Sequence, residues 1–243
     1  MSKTEDNNQV LTQTDLEIGN LLVTKIKKQF PKHNVIDEET GVIDNKSPFT
    51  WSVDPVDGTS NFVTGLPMYG IMLGFLENDT PMAGGVALPY FQEIYFAEKE
   101  KGAFCNRQKI KVSKETNLLN CLVVYAIDGH QEKPELTYKE TGLMADIILN
   151  IRNLRTSNSC FDLMMVARGK YGGWLNQTSK IYDNVAPQII IEEAGGLYTD
   201  FFGNKIDYSN PVTKIDQNFT TCTAPPQLHQ KLQKIIKNHK FEN

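Results

Sequence analysis

The sequence lacks long hydrophobic runs and has little cysteine. No apolar stretch among its 243 residues approaches the roughly 18 residues of a membrane-spanning helix. Residues 1–9 have neither the basic start nor the apolar middle of a secretory signal. No CxxC pair is present, which excludes a dense disulfide framework and gives no sign of a zinc site. We therefore expect a cytoplasmic protein without a membrane segment, with four reduced thiols at Cys105, Cys121, Cys160 and Cys222.

A surplus of positive charge is also absent. Lys and Arg number 25 against 29 Asp and Glu, which gives a formal net charge of −4. Proteins that bind nucleic acids through phosphates need an excess of Lys and Arg, so we expect no nucleic-acid polymer as a partner. The content of 40% hydrophobic and 9% aromatic residues is ordinary for a folded protein. Any phosphate group that this chain binds must therefore be held locally.

The apolar pattern predicts helices and strands in both halves of the chain. Residues 14–30 have helical spacing, with Thr14 or Asp15 as the capping residue and Pro31 as the stop. Short apolar runs separated by turns predict antiparallel strands within residues 50–100. Beyond them we expect strands at 121–127 and 196–199, and helices at 142–150, 160–167, 184–194 and 226–238.

The pattern is weakest at residues 128–141, where Gly129, Pro134 and several charges interrupt it. We therefore predict one compact unit of two lobes, an α+β lobe of residues 1–127 and an α/β lobe of residues 128–243. Strands and helices mixed in both halves indicate a layered α/β (α+β) architecture.

Two carboxylates stand out in the segment of residues 51–62. Asp54 and Asp57 lie three residues apart where an apolar strand ends in a turn. Pro55 fixes one φ angle and the following glycine permits a tight path, so both carboxylates and the Val56 carbonyl can converge on a hard cation.

The residues after Gly58 can open a helix, whose unbonded N–H groups would bind an anion next to that cation. Cation and phosphate would then be neighbours. The alternative is a turn with a helix cap and no chemistry, which is the commoner meaning of an isolated motif of this kind.

Further carboxylates lie at residues 37–39 and at Asp183. Taken singly, the first group reads as a solvated loop and Asp183 as a helix cap. If Glu38 and Asp183 joined Asp54 and Asp57, each pair at about 4 Å would cost on the order of 4 kcal/mol at an effective dielectric constant near 20. Such a cluster needs cations, and oxygen ligands select Mg²⁺, Mn²⁺ or Ca²⁺.

These residues resemble the inositol monophosphatase family, Mg²⁺-dependent and lithium-sensitive phosphatases with fructose-1,6-bisphosphatase and phosphoadenosine phosphatase relatives. Five stretches match family motifs in order and spacing, namely residues 12–15, 37–39, 54–62, 101–104 and 182–196. The resemblance implies the layered α-β-α-β-α sandwich of sugar phosphatases and a homodimer. It also implies that the N-terminal lobe carries most of the metal ligands.

The resemblance implies two or three Mg²⁺ ions per subunit, which Mn²⁺ or Ca²⁺ can replace for binding. Glu38, Asp54 and the Val56 carbonyl would hold a first ion. Asp54, Asp57 and Asp183 would hold a second, so that Asp54 bridges the two.

The catalytic roles are likewise implied by the resemblance. Thr59 and Asp15 would activate the attacking water, because the hydroxyl relays a proton to the carboxylate, and Glu38 would contribute through its metal ion. Glu39 would orient the ligands from outside or bind a third ion.

The substrate would be held by the backbone N–H groups of Gly58, Thr59 and Ser60 and by the side chain of Asn176. Inositol-specific members carry a Glu where this chain has Asn176, which removes a charge. Family members also begin with a long helix before the motif at residues 12–15, so we expect a form that lacks that helix.

The predicted function is a Mg²⁺-dependent phosphomonoesterase that hydrolyses a small phosphorylated polyol or sugar, similar to inositol 1-phosphate. The alternatives are fructose-1,6-bisphosphatase activity, 3′-phosphoadenosine-5′-phosphate phosphatase activity, or a metal- and phosphate-binding regulatory subunit without turnover. For a bisphosphate substrate, Arg155 and Arg168 are candidates to meet the second phosphate, although a solvated helix end is the commoner role.

Overall fold

A computed structural model describes residues 2–3 and 9–239 of the chain. The helices in this part are α1 (Gln13–Gln29), α2 (Thr59–Val63), α3 (Pro134–Ile148), α4 (Cys160–Ala167), α5 (Ile181–Glu193) and α6 (Pro226–Asn238). The strands are β1 (Ser2–Lys3), β2 (Gln9–Val10), β3 (Asn34–Asp37), β4 (Gly41–Ile43), β5 (Phe49–Asp57), β6 (Gly70–Glu77), β7 (Thr80–Leu88), β8 (Glu93–Glu98), β9 (Gly102–Cys105), β10 (Gln108–Lys109), β11 (Leu122–Ala126), β12 (Asn153–Arg155), β13 (Gly173–Ser179), β14 (Leu197–Thr199) and β15 (Phe219–Ala224).

The strands form two large sheets. The first has eight strands in the order β10-β9-β8-β7-β6-β5-β3-β4 and is antiparallel except for the neighbours β3 and β5. The second has five strands in the order β12-β11-β13-β15-β14, and its strands β11, β12 and β13 are parallel. β1 pairs with β2 in a separate two-stranded ribbon.

Helices cover the sheets in alternating layers. α1 packs on one face of the eight-stranded sheet, while α4 and α5 fill the space between the sheets. α3 and α6 cover the outer face of the five-stranded sheet through a separate apolar cluster. This arrangement confirms the predicted α-β-α-β-α sandwich, in which each helix buries an apolar side against a sheet.

The predicted helices at 160–167 and 226–238 are confirmed, but other boundaries differ. α3 begins at Pro134 rather than at residue 142, because proline is favourable in the first turn of a helix. The predicted cap of α1 is wrong. Thr12 caps this helix, and the Asp15 carboxylate accepts a hydrogen bond of 2.9 Å from the Thr12 N–H in a capping box.

The change of sheet does not fall at the predicted lobe boundary after residue 127. β11 lies in the five-stranded sheet, so the change occurs between Lys109 and Leu122. The interruption at residues 128–133 is the loop between β11 and α3 within one β-α-β unit, which explains why its weak pattern resembles a boundary.

All four cysteines are buried and free, as predicted. Within the described residues, no helix combines the length and the apolar character needed to cross a bilayer.

Two glycines allow α5 to approach the eight-stranded sheet closely. A Cβ at Gly84 would lie 2.6 Å from the Ala186 carbonyl oxygen, and one at Gly74 would lie 2.6 Å from a Val185 methyl carbon. Cβ atoms in proteins do not approach other atoms this closely. α5 can therefore pack here only because both residues are glycines. The position of Asp183 near the start of α5 depends on the same contact.

We predict that Gly84→Val lowers the free energy of unfolding by about 1–3 kcal/mol, because the new side chain overpacks the contact with α5. The matched control is Gly85→Val, since a Cβ there meets only the Tyr95 carbonyl oxygen at 3.8 Å. Urea denaturation of both variants measures the difference. Equal losses in the two variants would contradict the close-approach argument.

Candidate metal and phosphate site

Three aspartates from distant parts of the chain meet at one end of a cavity. Asp54 and Asp57 lie among the last four residues of strand β5, and Asp183 lies in the first turn of α5. One carboxylate oxygen from each of the three lies within 4.8 Å of the others. Carboxylate oxygens at this spacing form a ligand set for a hard divalent cation.

Glu38 joins the aspartates because β3 and β5 are parallel neighbours. Their carboxyl ends lie at the same edge of the sheet, and the Glu38 N–H donates to the Val53 carbonyl over 3.1 Å. The Glu38 carboxylate lies close enough to Asp54 for its charge to raise the pKa of Asp54. Glu39 lies beside Glu38 but is not among the residues that line the cavity.

The electrostatic cost of this cluster is large. Burial raises the pKa of Asp54 well above its ordinary value, and the charges of Glu38, Asp57 and Asp183 raise it further. Burial also raises the pKa of Asp57 to about 7, although the Cys160 N–H at the start of α4 opposes this by donating to its carboxylate.

The donor set fits metal ions. The Oδ1 atom of Asp54 is buried and has no hydrogen-bond partner among the described residues. An unsatisfied buried carboxylate oxygen is unfavourable unless a cation or water meets it. The predicted oxygen ligands, including the Val56 carbonyl, all line the cavity.

A hydroxyl and a carboxylate form a second functional pair next to the aspartates. The Thr59 Oγ1 atom lies 3.1 Å from Asp15 Oδ1 and 2.7 Å from the Val56 carbonyl oxygen. Asp15 is fully buried, and its other oxygen accepts hydrogen bonds from the Thr12 N–H and hydroxyl. The capping box of α1 therefore fixes Asp15 at the position where Thr59 reaches it.

Gly58 makes the tight turn between the aspartates and α2. Its φ angle is 84°, and a Cβ at this position would lie 2.7 Å from the Ser159 Cβ. Only glycine combines this backbone conformation with such a close approach. Asn61 fixes the same turn, because its amide donates over 2.7 Å to the carbonyl oxygens of Met68 and Ser157.

The other side of the cavity is formed by the carboxyl ends of β11, β12 and β13. Since these strands are parallel, the residues that follow them meet at one edge, which is where ligands bind in sheets of this kind. The cavity has a volume of about 580 Å³. Its lining on this side includes Asp128, His130, Thr156, Ser157, Asn158, Ser159, Asn176 and Thr178.

The structure separates the predicted substrate residues into two groups. Gly58, Thr59, Ser60 and Asn176 line the cavity. Arg155 and Arg168 do not, and Arg168 instead pairs with Glu93 at 2.5 Å. The alternative role, a solvated helix end, fits neither arginine fully. Arg155 is exposed but lies in strand β12, and Arg168 follows α4 but is half-buried in its ion pair with Glu93.

Sequence reasoning missed Asn61, Asp128 and Thr178. Asn61 belongs to the matched motif, but its role in joining two loops depends on residues almost a hundred positions away. Asp128 directly follows a strand, and a signal for it was available because polar residues at the carboxyl ends of parallel strands are candidates for a site.

Comparison with known proteins agrees with this geometry. A model of the inositol monophosphatase family matches residues 1–240. A fructose-1,6-bisphosphatase/inositol-1-monophosphatase of Aquifex aeolicus is 34% identical over 175 residues, which are 72% of this chain and 66% of that protein. An inositol monophosphatase of Mesembryanthemum crystallinum is 32% identical over 225 residues, which are 84% of this chain and 80% of that one.

Among solved structures, the extragenic suppressor protein suhB of Bartonella henselae superimposes with a TM-score of 0.87 at 23% identity. The match covers 98% of this chain and 88% of that structure, and at this identity it shows the fold alone. The match to the family model and the two relatives of at least 30% identity show the family as well as the fold. The chain belongs to the inositol monophosphatase family, whose members are phosphoric monoester hydrolases.

Proposed function

We propose that this protein is a Mg²⁺-dependent phosphomonoesterase that releases phosphate from a small phosphorylated polyol or sugar, similar to inositol 1-phosphate. The observation that carries the proposal is the convergence of Asp54, Asp57 and Asp183 within 4.8 Å in the cavity that also contains Thr59. Metal ligands and a proton acceptor are the two components that hydrolysis by an activated water requires.

The ligand assignment is the one that the family resemblance implies, and the convergence of Asp54, Asp57 and Asp183 supports it. Glu38, Asp54 and the Val56 carbonyl would hold one ion, and Asp54, Asp57 and Asp183 a second, with Glu39 outside them or at a third. Bound divalent cations would neutralise the carboxylates and make a water molecule more acidic. The buried Asp54 Oδ1 atom, which has no hydrogen-bond partner among the described residues, supports this assignment.

The proton route uses this chain's own residues. The Thr59 hydroxyl accepts the proton of the attacking water and passes its own proton to Asp15 over the observed 3.1 Å. The hydrogen bonds from Thr12 hold the Asp15 carboxylate in the orientation that this transfer needs.

Backbone N–H groups would hold the phosphate. In the first turn of α2, the N–H of Asn61 donates a hydrogen bond to the Gly58 carbonyl oxygen. The N–H groups of Gly58, Thr59 and Ser60 precede it and can donate to phosphate oxygens.

The charge distribution favours a monophosphate over a bisphosphate. Among the described residues, Lys180 is the one Lys or Arg that lines the cavity, and its ammonium group donates to the Asp216 carbonyl over 2.8 Å. A second phosphate would need a cationic partner, and the two arginines considered for it lie elsewhere.

Two further features concern location and assembly, and we propose a cytoplasmic homodimer. The four free, buried cysteines support a reducing compartment. An apolar surface on β8, where Ile94 is 63% and Phe96 49% exposed, supports an interface between subunits.

The direct test is phosphate release from inositol, sugar and nucleotide phosphates, with and without Mg²⁺. We expect Mg²⁺-dependent release from polyol or sugar monophosphates, with a loss of at least about 100-fold in Asp183→Asn because one ligand charge is removed. Asp79→Asn is the control, since Asp79 lies in an exposed turn with φ of 64°, which asparagine tolerates.

Retained turnover in Asp183→Asn would contradict the proposed metal site. A folded, Mg²⁺-binding protein that releases phosphate from no ester would favour the regulatory alternative. Preferred release from bisphosphates would favour the bisphosphatase alternative.

We predict that Thr59→Val lowers kcat by about 100- to 10,000-fold, because the proton can no longer pass to Asp15. Thr59→Ser retains the hydroxyl and is expected to stay within about ten-fold of the unmodified protein. Thr64→Val serves as a control, because the Thr64 hydroxyl bonds only to carbonyl oxygens of the same short helix. Steady-state kinetics measures kcat for each variant. Equal activity of the Val and Ser variants at residue 59 would exclude the proposed proton transfer through the Thr59 hydroxyl.

We predict that Asp54→Asn raises the melting temperature of the metal-free protein at a pH above the raised pKa of Asp54, because there it removes one charge from the cluster. The expected rise is about 2–4 °C for each kcal/mol of repulsion removed. Added Mg²⁺ or Mn²⁺ should stabilise the unmodified protein more than this variant. Thermal melting after chelation and after metal addition measures both effects. Asp79→Asn is the control, and its melting temperature should equal that of the unmodified protein under both conditions. A lower metal-free melting temperature in Asp54→Asn would speak against the repulsion.

A further inference from the structure

The cavity contains another carboxylate, apart from the aspartate cluster. Asp128 follows β11, in the five-stranded sheet, and lines the cavity from that side. It is not one of the three aspartates whose oxygens lie within 4.8 Å of one another. Asp128 therefore has a place in the cavity but not in the group of metal ligands.

Neighbouring side chains hold Asp128 in position. The Thr178 hydroxyl lies 3.2 Å from Asp128 Oδ2, and the Asn158 amide nitrogen lies 3.4 Å from Oδ1. The same Thr178 hydroxyl also lies 3.2 Å from the Asn176 side-chain oxygen. These contacts link the loops after β11 and β12 with the carboxyl end of β13 into one polar surface.

The composition of this surface fits hydroxyl groups. A carboxylate accepts several hydrogen bonds at once, while the amide of Asn176 and the hydroxyl of Thr178 both donate and accept. The Asn158 amide nitrogen already donates to the Ile127 carbonyl oxygen and to Asp128, so Asn158 holds the carboxylate in place. A substrate hydroxyl can donate to Asp128 and accept from an amide at the same time. A few converging polar groups of this kind fix the orientation of a small ligand in a cavity.

The same surface is unsuited to a second phosphate. Asp128 brings a negative charge, and Lys180 is the one Lys or Arg among the described residues that line the cavity. A phosphate placed against Asp128 would meet a like charge, which is unfavourable. The surface therefore distinguishes hydroxyls from phosphates as well as binding hydroxyls.

We propose that Asp128 is a specificity-determining residue, whose carboxylate accepts hydrogen bonds from hydroxyl groups on the non-phosphorylated part of the substrate and disfavours a second phosphate there. The inference rests on the proposed phosphomonoesterase function and identifies free hydroxyl groups as the feature of the substrate that the site recognises. The substrate class is a polyol or sugar monophosphate with adjacent free hydroxyls.

The test compares Asp128→Asn with the unmodified protein on three substrates. Inositol 1-phosphate carries the hydroxyls, p-nitrophenyl phosphate lacks them, and fructose 1,6-bisphosphate carries a second phosphate. We expect kcat/KM for inositol 1-phosphate to fall roughly 10- to 100-fold, mainly through KM, as is typical when a charged hydrogen-bond partner is lost. Activity on p-nitrophenyl phosphate should stay within about two-fold, and the preference for inositol 1-phosphate over the bisphosphate should fall.

Glu132→Gln is the matched control. Glu132 is an exposed residue of the same loop, and its substitution removes the same charge outside the cavity. We expect all three substrates to be unaffected in this variant. An equal loss on inositol 1-phosphate and p-nitrophenyl phosphate in Asp128→Asn, or no loss on either, would overturn the role of Asp128 in recognition.

A binding measurement separates this proposal from the proposed function. Calorimetry with inositol 1-phosphate in the presence of Ca²⁺ compares the affinities of the unmodified protein and Asp128→Asn without relying on turnover. Weaker binding by the variant supports the role of Asp128 even if the unmodified protein releases no phosphate from any ester, an outcome that would contradict the proposed function alone. Equal binding by both proteins would overturn the proposal.

Discussion

The mutual repulsion of the carboxylates between the two sheets is the constraint on which the site depends. Asp54 is buried, and Glu38, Asp57 and Asp183 all add to the cost of its charge. An uncompensated cluster of this kind opposes folding, so the surrounding packing must hold the groups together. The close contact of α5 with Gly74 and Gly84 does this, because it brings Asp183 to the end of β5.

Backbone N–H groups provide part of the compensation. The Cys160 N–H at the start of α4 donates to Asp57, and the Lys180 N–H before α5 donates to Asp183 over 2.6 Å. Both helices therefore direct the positive ends of their dipoles toward the cluster. The remaining negative charge makes the site suited to divalent cations. The Asp54 Oδ1 atom, which has no hydrogen-bond partner among the described residues, is one carboxylate oxygen that the protein leaves uncompensated.

The two sheets contribute different chemistry to one cavity. The eight-stranded sheet supplies the proposed metal ligands Glu38, Asp54 and Asp57, while α1 supplies the proposed proton acceptor Asp15. The carboxyl ends of the parallel strands of the five-stranded sheet, with the loops that follow β11 and β12, supply amides, hydroxyls and Asp128. In the proposed function, this division would separate the reacting phosphate from the part of the substrate that determines specificity.

The sequence by itself determined the features that depend on local order. The spacing within residues 54–62 and the apolar patterns of α4 and α6 were sufficient, because a turn or a helix face involves residues only a few positions apart. The family resemblance, rather than any local pattern, predicted that Asp183 meets Asp54, and the tertiary structure brings them together. The tertiary structure alone decided that β11 belongs to the five-stranded sheet. It also decided that Arg168 turns to Glu93 and that Asp128 faces the cavity. These relations join residues as many as 129 positions apart (183 − 54), and the packing of helices between the two sheets, rather than any local pattern, sets such distances.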